Sequence, residues 1–302
     1  MKQVRPKKNL GQHFLTDLSI ARRIADTVDA CPDLPVLEVG PGMGVMTQFL
    51  AVKPRPLKVV EIDRESVDYL KATLFRDDTH ADGTDQPSSA SIIEGDFLRM
   101  DLNKVFDGRQ FVLTGNYPYD ISSQIFFKMI DNRELIPCCT GMIQHEVAQR
   151  MASQPGTKAY GILSVLIQAW YDVEYLFTVE PSVFNPPPKV QSAVIRMTRN
   201  QTQHLVCDEQ LFKRVVKTVF NQRRKMLRVS LRQLLTDGAI AQLASSIAQQ
   251  QASVAADPQA AANSSGLLPD ILSLTLRPEQ LTIQQFVMLT NEVEKVLCTT
   301  TI

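Results

Sequence analysis

No run of eighteen apolar residues occurs in this 302-residue sequence, so no membrane-spanning helix is expected. No apolar stretch follows the basic start at Lys2, Arg5, Lys7 and Lys8, which argues against secretion and for a cytoplasmic protein. The five cysteines (Cys31, Cys138, Cys139, Cys207, Cys298) are odd in number and form no C-x-x-C pair, as expected of reduced thiols. The four histidines (His13, His80, His145, His204) lack metal-ligand spacing, and no Ser/His/Asp or Cys/His arrangement is apparent. A metal mechanism is therefore not expected. Net charge is also missing: 32 basic residues balance 32 acidic ones. That balance alone would argue against a nucleic-acid partner, but the distribution argues the other way. Between Lys213 and Arg232 lie eight basic residues and no acid, while acids cluster elsewhere, as in Asp77, Asp78, Asp82 and Asp85. The neutral total hides a strongly basic helix. It is either a solvated face or a phosphate-binding surface built on Lys213, Lys217, Arg223, Arg224, Lys225 and Arg228.

What is present is an alternation of strands and helices. Short β-rich runs are expected at Val36–Gly40, Lys58–Asp63, Ser91–Asp96, Phe111–Asn116, Cys138–Gln144 and Val190–Met197, with a weaker one at Glu174–Val179. Helical stretches such as Glu65–Phe75 and Ser122–Ile130 separate them, which implies crossover units and a mostly parallel sheet covered on both faces. Asp77–Ala90 has no apolar periodicity and reads as a solvated loop. After Arg199 the strands stop. Asp208–Leu235 and Leu281–Leu297 read as amphipathic helices, the second starting at Thr282. The Ala/Gln/Ser tract between them, 249–265, is read as a flexible insertion. The domain boundary is placed near residue 200: an α/β domain over 1–200 and a small all-α domain over 201–302.

Three strand ends carry candidate site residues. The first run ends in Glu38-Val39-Gly40-Pro41-Gly42-Met43-Gly44, where Gly40 and Gly42 let the backbone turn sharply and approach a ligand. The second ends in Glu61, placed to bind ribose hydroxyls. This spacing fits a dinucleotide or an adenosyl ligand, and Val45 in place of a third glycine weakens the dinucleotide reading. The third ends in Glu94-Gly95-Asp96-Phe97, where Asp96 either accepts from an adenine amine or caps the next turn.

The most specific signal is Gly115-Asn116-Tyr117-Pro118-Tyr119. An exocyclic adenine amine is a poor nucleophile because its lone pair is delocalised into the ring. Two acceptors for its protons, the Asn116 side-chain carbonyl and the Tyr117 backbone carbonyl, would draw the nitrogen toward a tetrahedral geometry. Pro118 restricts Tyr117 to an extended conformation, and Tyr119 offers a ring on which an unstacked base can lie. Phe184, ahead of three consecutive prolines and Lys189, is expected to hold the other face of that base.

Together these residues resemble the ribosomal RNA adenine N6-dimethyltransferase family, the kasugamycin-sensitivity methyltransferases of the bacterial small (16S) subunit. The resemblance runs through Asn9–Leu15, Glu38–Gly44, Glu61, Glu94–Asp96, Asn116–Tyr119, Lys158–Gly161, Phe184–Val190 and Phe220–Lys225. It implies a Rossmann-like class I methyltransferase with a seven-stranded sheet and a helical C-terminal domain. It also implies S-adenosylmethionine as methyl donor, with His13, Leu15, Gly40, Glu61, Asp96 and Asn116 lining its site. The implied reaction is N6,N6-dimethylation of two adjacent adenosines near the 3′ end of 16S ribosomal RNA, on a pre-ribosomal small subunit, by a monomer active in ribosome biogenesis. The family usually has Asn where this chain has His13, and Leu where it has Tyr117. Three other readings compete: a large-subunit methyltransferase of the macrolide-resistance type, a DNA enzyme, and a non-catalytic RNA-binding assembly factor.

Overall fold

The computed structural model describes residues 7, 13–75, 90–256 and 272–300. Within them the chain forms two units, one made of Met1–Ala152 with Trp170–Asn200 and the other of Ser153–Ala169 with Gln201–Ile302.

The first unit begins with a short strand, β1 (Phe14–Leu15), and α1 (Leu18–Asp26). Asp17 starts that helix by accepting from the backbone N–H groups of Ser19 and Ile20, and Ala21, Ile24 and Ala25 form its buried stripe. Then follow β2 (Val36–Val39), α2 (Thr47–Ala51), β3 (Leu57–Glu61), α3 (Arg64–Thr73), β4 (Ala90–Glu94), β5 (Val112–Gly115) and α4 (Ser122–Asp131). The unit continues with β6 (Cys138–Gln144) and α5 (His145–Met151) and, after a segment belonging to the second unit, β7 (Tyr171–Val179), β8 (Phe184–Asn185) and β9 (Ser192–Arg199). Seven strands form one sheet in the order β4-β3-β2-β5-β6-β9-β7. The first five are parallel, and β9 and β7 are antiparallel to their neighbours. The mostly parallel sheet is the one expected from the alternation, and its seven strands are those the resemblance implies for a class I methyltransferase. The chain leaves β2 toward β3 and β4 on one side and toward β5 and β6 on the other. A crevice therefore opens at the carboxyl ends of β2 and β5, where such sheets bind ligands. Among the described residues β1 pairs only with β8, Leu15 opposite Phe184.

The second unit holds α6 (Ile162–Gln168), α7 (Glu209–Asn221), α8 (Leu227–Ser230), α9 (Asp237–Ala256) and α10 (Ile283–Thr300). α7 buries the stripe Phe212, Val215, Val216, Val219 and Phe220. α10 starts as expected at Thr282, whose N–H donates to the Gln285 side chain while its hydroxyl accepts the Gln285 N–H. None of the described helices is long and apolar enough to cross a membrane.

Four expectations are corrected. Ser153–Ala169 belongs with the second unit, not the first; Tyr160, at the head of α6, is buried with its ring edge against Phe220. The basic segment is not one helix. α7 stops at Asn221 because the apolar period lapses over Gln222–Lys225, and Met226 turns extended before α8. The tract from 249 continues α9 as far as Ala256, since alanine is the best helix former; positions 257–265 lie outside the described residues. β7 is longer than expected, because a terminal strand of the sheet tolerates charges such as Asp172 and Glu174 that hide it from a hydrophobic pattern. Most of the loop expected at 77–90 also lies outside the described residues, although Ala90 opens β4.

A buried acidic cavity at the sheet switch point

At the carboxyl ends of β2, β3, β4 and β5 lies a cavity of about 300 Å³. His13, Leu15, Glu38, Gly40, Gly42, Glu61, Asp96, Asn116, Tyr117, Pro118 and Tyr119 all line it, with apolar side chains such as Met46 and Phe97. The loop after β2 needs its glycines for two different reasons. Gly42 has φ +56°, and its N–H donates to Glu61 Oε2 at 3.0 Å. Gly44 has φ +77°, and a side chain there would strike Leu70 and Leu74 of the α3 region, so it serves packing.

Glu61 is 3 % exposed. Its Oε1 accepts from the N–H groups of Ile62 (3.0 Å) and Asp63 (2.9 Å), so both oxygens are anchored and only Oε2 keeps a lone pair for another donor. Burial holds its carboxyl above the usual range, opposed by those three backbone donors. Asp96 does cap its turn, accepting from Leu98 N–H at 2.9 Å, and its second oxygen pairs with Arg99 at 3.4 Å, yet it remains on the cavity wall.

At the end of β5, Asn116 donates from Nδ2 to the His13 carbonyl at 3.2 Å. A carbonyl only accepts, so the amide's orientation is set and its oxygen is left for a substrate donor. The Tyr117 side chain is in the core, donating to the Thr140 carbonyl at 2.8 Å and set edge-on to Phe126, which leaves its main chain at the wall. The Tyr119 hydroxyl is hydrogen-bonded to Ser192 Oγ at 2.5 Å, and burial raises its pKa. Over that ring lies His13, 5.8 Å away and inclined by 28°, with Nδ1 2.8 Å from the Pro186 carbonyl. The stacked position on Tyr119 is thus held by His13. Phe184 is not brought to the cavity: at 4 % exposure it packs in the core beside Leu15, because the β1–β8 pairing turns it inward. Asn9–Gln12 lie outside the described residues.

Glu38, at the head of the glycine motif, has no role that its sequence context assigns. It is 1 % exposed, and Thr47 Oγ1 donates to it at 2.7 Å. Burial pushes its pKa up to about 8, with Glu61 adding to the rise and the Thr47 hydroxyl opposing it. The unfolded chain would lose that proton near pH 4.5, whereas the native state keeps it to about pH 8. Stability should therefore fall as pH rises between those values, by at most about 1.4 kcal/mol per pH unit from this group. Thermal unfolding from pH 5 to 8 should show a flatter decline for Glu38→Gln; parallel curves would mean that the buried carboxyl is already ionised.

In the second unit the basic residues are not equivalent. Arg223 donates to the Thr157 carbonyl at 3.1 Å and stands 3.9 Å from Glu279. Arg232 pairs with Asp237 at 2.9 Å. Lys217, Arg224, Lys225 and Arg228 are exposed, and Lys213 is half-buried.

A model of the family described as ribosomal RNA adenine dimethylase matches residues 3–265. The ribosomal RNA small subunit methyltransferase A of Bacteroides thetaiotaomicron is 58 % identical over 301 residues, covering 100 % of this chain and 98 % of that protein. The protein of the same name from Phocaeicola vulgatus is 58 % identical over 97 % of this chain and 91 % of its own length. Among solved structures, a dimethyladenosine transferase from Plasmodium falciparum superposes with a TM-score of 0.67 at 23 % identity, over 94 % of this chain and 98 % of that one. The 23S rRNA methyltransferase ErmE gives 0.62 at 23 % identity, over 93 % and 99 %. Those two likenesses show the fold, and they extend over the C-terminal helices as well as the sheet. By the span of its family match and its identity to full-length relatives, this chain belongs to the ribosomal RNA adenine dimethylase family, enzymes that take their methyl group from S-adenosylmethionine.

Proposed function

We propose that this enzyme dimethylates the N6 amines of two adjacent adenosines near the 3′ end of small-subunit ribosomal RNA, acting on a small-subunit precursor. The observation that carries the chemistry is the orientation of Asn116, whose amide nitrogen is committed to the His13 carbonyl and whose oxygen is left as an acceptor at the cavity. The donor set also suits an adenosyl ligand: Glu61 keeps one lone pair for a ribose hydroxyl, and Asp96 is available to an adenine amine. Gly40, Gly42, Leu15 and His13 complete that wall. Bound there, S-adenosylmethionine supplies an electrophilic methyl on its sulfonium. Asn116 Oδ1 and the Tyr117 carbonyl accept hydrogen bonds from the two N–H groups of the target amine and expose its lone pair, with the base taking the stacked position on Tyr119 that the His13 ring holds in this structure. Catalysis then rests on positioning and on acceptors aimed at developing charge, with no covalent enzyme intermediate. The proton leaves to water after the carbon–nitrogen bond forms.

The small-subunit substrate is favoured by the 58 % identity to enzymes named for that subunit, against 23 % to the large-subunit enzyme. Labelled-methyl transfer to unmethylated small subunits and to large subunits, followed by nucleoside analysis, tests it. Dimethyladenosine confined to the small subunit is expected, and label in the large subunit would overturn the assignment.

RNA would be held by Lys213, Lys217, Arg223, Arg224, Lys225 and Arg228 of the second unit. Arg223 is tied into its own unit, so the informative change is charge reversal at the exposed pair Arg224 and Lys225. Each lost phosphate contact lowers the slope of log affinity against log salt by about 0.7 to 0.9. The double variant should lose about 1.5 from that slope in filter-binding titrations; an unchanged slope would leave the segment a solvated face.

A further inference from the structure

Glu38 is a buried acid in the cavity that the reaction above leaves unused, and its surroundings are unusual for a carboxyl group. It sits on β2 at the sheet switch point, and the groups around it offer no positive charge among the described residues. α2 contributes the Thr47 hydroxyl, the single donor to its side chain among the described residues. β3 contributes a second acid, Glu61. β5 contributes Thr114, in register with Glu38, whose buried hydroxyl has no partner among the described residues. α1 turns Ile24 toward the cavity, while its Arg22 and Arg23 lie over the rings of Phe49 and Phe177. His13 is turned to the Pro186 carbonyl. No Lys or Arg lines the cavity among the described residues, whereas Glu38, Glu61, Asp96 and Asp120 do. Two buried carboxyls on one wall without a cation cannot both ionise cheaply. Glu61 has three backbone donors to stabilise its charge and Glu38 has one hydroxyl, so Glu38 is the one that keeps a proton.

We propose that Glu38 is a neutral carboxylic acid in the ligand-free enzyme and releases its proton to solvent when S-adenosylmethionine binds, becoming the buried counter-charge that selects a cationic ligand. This rests on assigning the cavity to S-adenosylmethionine, which carries a sulfonium and an ammonium against one carboxylate. Bringing a positive charge into the cavity favours the ionised form of a protonated acid on its wall. Only the Glu38 O–H bond is broken, and the buffer takes the proton. Glu38 thus acts as a specificity determinant for charge, separate from Asn116, which acts on the substrate amine. It also links cofactor affinity to pH: the bound state holds fewer protons than the free state, so affinity rises with pH up to about 8, where the free carboxyl itself ionises.

Isothermal titration of the full-length enzyme with S-adenosylmethionine at pH 7, in phosphate and in Tris, counts the protons released from the dependence of the heat on the buffer. The wild type should release about 0.9 proton more than Glu38→Gln, the protonated fraction expected of a group titrating at about 8. Its dissociation constant should tighten by about tenfold between pH 6 and 7, and that of the variant should stay nearly flat. Comparing the two proteins cancels protons exchanged by the cofactor's own amine. S-adenosylhomocysteine, which lacks the sulfonium, identifies the trigger: release with both ligands traces it to the ammonium, release with S-adenosylmethionine alone to the sulfonium. Equal proton counts in the two proteins, with the cofactor bound by both, would overturn the proposal, whereas absence of binding to the wild type would overturn the cavity assignment instead. Should Glu38→Gln fail to fold, infrared difference spectra of the wild type still decide. The carbonyl band of a buried protonated carboxyl should vanish on cofactor addition, and a band that persists refutes release.

Discussion

Asn116→Ala is expected to slow methyl transfer by about 10²- to 10³-fold while leaving RNA affinity nearly unchanged. The magnitude is that of deleting one preorganised hydrogen-bonding group aimed at charge developing in a transition state. The side chain is well placed for that task because its orientation does not depend on the substrate. Its nitrogen is held by the His13 carbonyl, and its backbone bridges to Met142 at the sheet edge of the cavity. Alanine keeps the backbone and loses both the acceptor and the tie to His13. Tyr119→Ala should behave differently. It removes a stacking surface, worth about 1–3 kcal/mol per base, and frees the Ser192 hydroxyl that fixes the ring. Its loss should therefore fall mainly on productive binding of the base. Rapid-quench kinetics with nucleoside analysis separates the two variants. Near-normal dimethyladenosine formation by Asn116→Ala would overturn the mechanism and move the acceptor elsewhere in Gly115–Tyr119.

Glu61→Ala should weaken S-adenosylmethionine binding by roughly ten- to a hundredfold, the equivalent of one lost charge-assisted hydrogen bond of about 1.5–3 kcal/mol. The structure adds a second consequence. Glu61 accepts the backbone N–H groups of Gly42, Ile62 and Asp63, so alanine strands three donors in and around the glycine loop. Thermal stability should fall together with affinity. Glu61→Gln, which keeps an accepting oxygen, should recover part of the stability and less of the affinity. Calorimetry on a folded Glu61→Ala protein with unchanged affinity would refute the ribose assignment. NAD is expected not to bind in the same titration, since Val45 stands where a dinucleotide turn has its third glycine.

Neighbouring residues dictated a large part of this molecule. The β-rich run at Cys138–Gln144 is a strand with those same ends, because hydrophobic β-formers bounded by a charged helix start need no distant partner to declare themselves. The helix start at Thr282 is equally local, a matter of side chains three residues apart. The order of the motifs identified the enzyme family, and the chemistry of an adenine amine singled out Asn116. What the tertiary structure decided was whatever depends on residues far apart in the chain. Pairing of β1 with β8 buried Phe184 and left His13 as the ring over Tyr119, an exchange no pattern around either residue encodes. Contacts of Arg223 with Thr157 and Glu279 withdrew one charge from a segment that reads as uniformly basic. Packing likewise gave Ser153–Ala169 to the helical unit, although it lies between strands of the sheet in sequence. The state of Glu38 is the clearest case. A glutamate on a strand ahead of a glycine-rich turn reads as an ordinary acid, and only burial beside Glu61, with no Lys or Arg lining the cavity among the described residues, favours its neutral form, because ionisation energy is set by the surrounding medium and charges rather than by the residue itself.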